Sequence, residues 1–140
     1  MPLRENIIDS RLSGREIRLK VAGFQDEIRG IIDEVARYEI GLQSEGKGIV
    51  VFRHSIMYAQ VNAADLHGYS GERLRDTVID SDMIGSTIKL HLVNGEEIEG
   101  KLMKLSKYEL GLRKGEEGLV IPKSAISFAI IKGEDKEGSD

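Results

Sequence analysis

Apolar and charged residues alternate along most of this chain. Ile17, Leu19 and Val21 are separated by Arg18 and Lys20, and Ile88, Leu90 and Leu92 by Lys89 and His91. A period of two puts one face of a strand on a core and the other in water. The same pattern predicts strands at 28–35, 38–43, 48–52 and 56–61, then at 98–105, 108–113, 118–121 and 126–131. Two segments break it. Leu3, Ile7 and Ile8, and later Leu74, Val78 and Ile79, have the i, i+4, i+5 spacing of one helical face, which predicts a short helix before each set of strands. Ser70 and Ser81 are candidate caps, and Gly14 and Gly85 mark the exits. Asn94-Gly95 predicts a type I′ hairpin turn, because both turn positions need positive φ.

The pattern is written twice. Residues 3–14 return at 74–85, an offset of 71, and Gly30, Tyr38, Glu39, Gly41 and Leu42 return as Gly100, Tyr108, Glu109, Gly111 and Leu112, an offset of 70. The one-residue change falls between Val21 and Glu27, where a loop can absorb it. A unit of this length is a small domain and not a solenoid repeat. The organisation read from the sequence is therefore repeat 1 at 3–62, a linker at 63–73, repeat 2 at 74–131 and a disordered acidic tail at 132–140, of which 133–140 has no apolar residue. The expected fold is mainly β with short N-terminal helices, each repeat being a helix plus a five-stranded, strongly bent small barrel, since closure removes exposed edges.

Composition excludes several classes. The chain has no cysteine, so neither a disulfide framework nor a zinc–thiolate site is available, and a reducing, cytoplasmic setting is expected. No apolar run reaches membrane-spanning length. The net charge of −4 argues against non-specific duplex binding, which relies on many phosphate contacts. No nucleophile sits in a catalytic motif and no glycine-rich phosphate loop is present, so neither an enzyme nor a cofactor is expected. His67 and His91 have no second ligand at metal spacing.

Three elements together resemble the Sm-like superfamily (Sm, LSm and Hfq), and most closely the bacterial RNA chaperone Hfq. They are Leu92-Val93-Asn94-Gly95 in a first hairpin, Arg37-Tyr38 or Lys107-Tyr108 in a third strand, and Phe52-Arg53-His54-Ser55-Ile56 before a last strand. The likeness covers about 120 residues, once per repeat. It implies a homo-oligomer, three tandem chains forming a pseudo-hexameric ring, that binds single-stranded, uridine-rich RNA on its pore face. The implied RNA-binding residues are Arg37, Tyr38, Arg53 and His54 in repeat 1, and Lys107, Tyr108, Lys123 and Ser124 in repeat 2. Tyrosine faces and charge-assisted donors are how unstacked RNA is held.

This chain departs from that pattern in two places. Ser124 stands where repeat 1 has His54, and the first hairpin of repeat 2 continues with Glu96, Glu97 and Glu99, carboxylates that repel phosphate. A ring-forming scaffold with little or no RNA binding therefore stays open beside the RNA-binding reading. Arg11, Arg15, Arg18 and Lys20 read as ordinary polar alternation before they read as a basic rim.

Overall fold

The ten strands form close to where alternation puts them. The computed structural model describes residues 3–134. In repeat 1 the strands are β1 (Glu16–Val21), β2 (Ile28–Val35), β3 (Glu39–Ser44), β4 (Lys47–Phe52) and β5 (Ile56–Gln60). Repeat 2 supplies β6 (Ser86–Leu92), β7 (Glu97–Leu105), β8 (Glu109–Lys114), β9 (Glu117–Pro122) and β10 (Ile126–Glu134). Lys132 to Glu134, expected in the acidic tail, thus lie in β10, and the rest of that tail falls outside the described residues.

The expected pair of helix-plus-small-barrel units is not what the chain adopts. All ten strands join one open antiparallel sheet in the order β5-β1-β2-β3-β4-β10-β6-β7-β8-β9. The reason is edge satisfaction: β4 and β10 pair with each other across the repeats, Val51 opposite Phe128 and Val50 opposite Ala129, so the two sets merge. Among the described residues only β5 and β9 keep a free edge, and they close neither a separate Sm-like barrel nor a ring within one chain. Register shifts at Ile32/Glu34 in β2 and at Leu102/Lys104 in β7 recur one repeat apart and bend both halves alike.

The predicted helices are also absent among the described residues. Each segment holds one 3-10 turn, Ser10–Leu12 or Ser81–Met83, capped by Asp9 or Asp80 and not by the expected serines. Gly14 (φ 85°) and Gly85 (φ 101°) then turn the chain at once, donating at 2.7 and 2.8 Å to the Ile32 and Leu102 carbonyls. One turn cannot repay helix nucleation. The Val78 and Ile79 N–H groups go to the Glu39 carboxylate instead of to helix carbonyls.

Two turns also differ from expectation. Asn94 lacks positive φ; Gly95 alone is left-handed, its N–H donating to the Leu92 carbonyl at 2.9 Å, as in a three-residue type I hairpin with a G1 bulge. The left-handed pair is Glu45-Gly46 (φ 52° and 79°), between β3 and β4. The segment expected as a linker lies down on repeat 1: Ser70 N–H donates to Asp9, and Arg11 reaches the Asp65 and His67 carbonyls.

Two apolar clusters fill the halves, and each borrows from the other repeat. Val51 packs with repeat 1, while its neighbours Val50 and Phe52 pack with Ile88, Leu90 and Leu110 of repeat 2. Phe128 of β10 returns the exchange by entering the repeat 1 cluster. Strand alternation at the shared β4–β10 boundary makes this unavoidable.

Candidate nucleic-acid interface

The junction that merges the sheets also makes a cleft of about 530 Å³, a volume typical of small-ligand sites. Its wall is assembled by the loops before β3 and β8 and by the turns after β4 and β9. Tyr38, His54, Lys107, Tyr108 and Lys123 line it together with the apolar Phe52 and Leu105. Five of the eight sequence-predicted residues therefore converge. Arg37, Arg53 and Ser124 are not in this lining.

Both tyrosine rings stand more than half exposed, so neither serves as core packing. Each carries a cation over its ring: the Arg37 guanidinium lies 5.3 Å from the Tyr38 centroid, and the Lys107 ammonium 5.4 Å from that of Tyr108. This repeated pair joins a π-face to a positive charge, the two features that hold a base and its phosphate. Arg37 also pairs with Glu5 and Asp76, each at 3.4 Å, and its pKa is raised, chiefly by Glu5. It orients Tyr38 and is partly neutralised.

Repeat 1's turn residues are more committed than the sequence suggests. Arg53 Nε and Nη2 donate to the Ala36 carbonyl at 3.1 and 2.9 Å, and Nη2 also to Ile8 at 2.8 Å. Burial lowers its pKa to about 10, opposed by Asp9, so the ion persists at neutral pH as a strut tying the N-terminal segment to the sheet. His54 Nε2 donates to the Lys123 carbonyl at 2.9 Å, which fixes its tautomer and bridges the repeats. The Tyr38 and Tyr108 carbonyls accept from Arg53 and Lys123 N–H at 3.0 and 2.8 Å, one repeat apart. These bonds set the depth at which both tyrosines present their rings.

Sequence reasoning missed the residue at the base of this cleft. Glu39 is 1% exposed, yet its Oε1 accepts the N–H of Val78 at 2.7 Å and of Ile79 at 2.8 Å. The signal was present, because Tyr38-Glu39 returns as Tyr108-Glu109. Desolvation raises the Glu39 pKa, against the two main-chain bonds, Lys123 and Arg75, which all favour the carboxylate. A raised folded-state pKa means that its pH-dependent contribution to stability is full below about 4.5 and declines as pH rises through the folded value. Glu39→Gln should therefore flatten the stability–pH curve above about pH 4.5, whereas Glu39→Ala, stranding two buried N–H groups, should cost about 2–4 kcal/mol at all pH values in urea unfolding.

Among the described residues no group of three His, Asp or Glu is disposed to hold a metal ion, and no helix is long and apolar enough to cross a membrane. Comparison with known protein families and with curated proteins finds no match.

Proposed function

We propose that the protein binds single-stranded, uridine-rich RNA in the cleft between its repeats, by stacking and hydrogen bonding without covalent chemistry, and works as a homo-oligomer. The observation that carries this reading is the pair of exposed tyrosines, each with a cation over its ring, facing one cleft beside Lys123. Uridine has a π-face for Tyr38 or Tyr108, and Lys107 and Lys123 are placed for its phosphates. The motif likeness to Sm-like RNA-binding proteins supports the reading at the level of residues only, since the helix-plus-barrel fold expected with it is absent. A cytoplasmic setting fits a chain without cysteine.

The free edges of β5 and β9 support the oligomer. Joining them gives a head-to-tail interface, which closes if the rotation per copy allows it; three chains would place six five-strand sets in one pseudo-hexameric ring. A scaffold with little RNA binding is the second reading. It is favoured by the commitment of Arg53 to carbonyls and by the three carboxylates on the β6–β7 hairpin.

Fluorescence anisotropy of a labelled oligouridine, titrated at rising salt, separates the two. RNA binding requires an affinity that falls with a log–log slope of about −0.7 per phosphate contacted. Absence of binding at low salt leaves the scaffold.

A further inference from the structure

The contacts that join the two repeats are present again, half-made, at the two ends of the chain. Inside the chain, residues 75–79 lie along the start of β3. Arg37 and Tyr38 N–H donate to the Arg75 and Asp76 carbonyls at 2.8 and 3.0 Å, and Glu39 takes the Val78 and Ile79 N–H groups. The repeat offsets convert these residues into Lys107, Tyr108 and Glu109 at one end, and Arg4, Glu5, Ile7 and Ile8 at the other. Glu39 is buried, whereas Glu109 is exposed; Val78 is buried, whereas Ile7 is exposed.

The strand edges behave in the same way. Val50 of β4 is 2% exposed and its counterpart Val120 of β9 is 68%; Phe128 of β10 is 2% exposed and its counterpart Tyr58 of β5 is 53%. Chemistry is conserved across each pair while burial is lost. That is the mark of an interface whose other half belongs to another molecule.

We propose that Glu109 is a docking site for the main chain of a second copy. Its carboxylate accepts the N–H groups of that copy's Ile7 and Ile8, while β9 pairs with the copy's β5, Val120 opposite Ala59 and Ile121 opposite Tyr58. The register is that of Val50 with Ala129 and Val51 with Phe128, carried over by 70 positions. The inference deepens the homo-oligomer reading above and is independent of whether RNA binds.

One feature makes the internal joint stronger than this external one. The single-residue insertion in the β1–β2 loop brings Phe24 onto His91 and Phe128, with ring centroids 5.7 and 5.0 Å apart, and seats Gly23 against the Leu92 carbonyl oxygen, where a Cβ has no room. The shorter β6–β7 loop has no aromatic to make the equivalent contact. Copies should separate on dilution before any chain unfolds.

Two measurements test the site. In sedimentation equilibrium of the full chain, Glu109→Ala should weaken association at least ~10-fold, the order expected for losing charge-assisted bonds, and Glu109→Gln, which keeps an acceptor, clearly less. Because Glu109 is exposed in a single chain, unchanged circular dichroism and melting of the separated chains should accompany both. The natural chain has no cysteine, so Ala59→Cys with Val120→Cys should form a disulfide between chains under mild oxidation, whereas Ala59→Cys with Gly118→Cys, two residues out of register, should not. A monomeric natural chain at ~100 μM, equal association of Glu109→Ala and the natural chain, or equal cross-linking of both cysteine pairs would overturn the proposal. The oligouridine titration reports separately on the RNA reading.

Discussion

Phe128→Ala should lower the stability of the whole chain by about 3–5 kcal/mol, the usual cost of truncating a buried phenylalanine. Phe128 is encoded in repeat 2 but packs in the repeat 1 cluster, opposite Val51 on β4. Its ring stacks on His91 at 4.2 Å, nearly parallel, and meets Phe24 edge-on at 5.0 Å. Removing it empties the place where β10, the repeat 1 cluster and the inserted loop meet. In a domain of this size that loss is about 10–20 °C in melting temperature. Phe128→Leu, which keeps most of the volume, should cost less than half as much. A shift of only a few degrees for the alanine variant would mean that the repeats are not held together there. Burial holds the His91 pKa down, so protonating it opposes folding, and the joint should weaken as pH falls below about 6.5.

The second large effect concerns binding. Tyr38→Ala combined with Tyr108→Ala should weaken oligouridine binding by ~10- to 100-fold or more, because base–aromatic stacking is worth about 1–3 kcal/mol per base. Both rings are exposed and neither belongs to an apolar cluster, so the double variant should melt like the natural chain. Arg53→Ala should do the reverse. Its guanidinium is committed to the Ala36 and Ile8 carbonyls, so thermal stability should fall while intrinsic affinity of the folded protein changes little. Affinity lost with Arg53 but kept without both tyrosines would move the RNA site away from the cleft.

The strands were legible because alternation depends on nothing beyond the chain's own near neighbours. Ile17, Leu19 and Val21, and Ile88 and Leu90, are buried in line with their period. The helices were misread because three apolar residues at helical spacing also suit an extended segment; in the second of them the Val78 N–H goes to Glu39, 39 positions away, a contact that no local pattern encodes. The open sheet was not legible either. Whether β4 closes on its own repeat or takes β10 depends on long-range edge pairing that no local pattern encodes. For the site, the residue types that gather in the cleft could be read from the motifs, but the commitment of Arg53 to main-chain carbonyls could not. The Tyr-Glu pair at 38–39, returning at 108–109 with the same offset as the rest of the repeat, held the missed information.

Photo-cross-linking of an oligouridine carrying 5-iodouridine, followed by peptide mass spectrometry, tests the central claim most directly. Base stacking in the cleft predicts cross-links concentrated on the peptides containing Tyr38 and Tyr108, lost as salt rises. Cross-links centred on Tyr58 or Tyr69, which lie outside the cleft lining, or none under conditions where anisotropy reports binding, would contradict it.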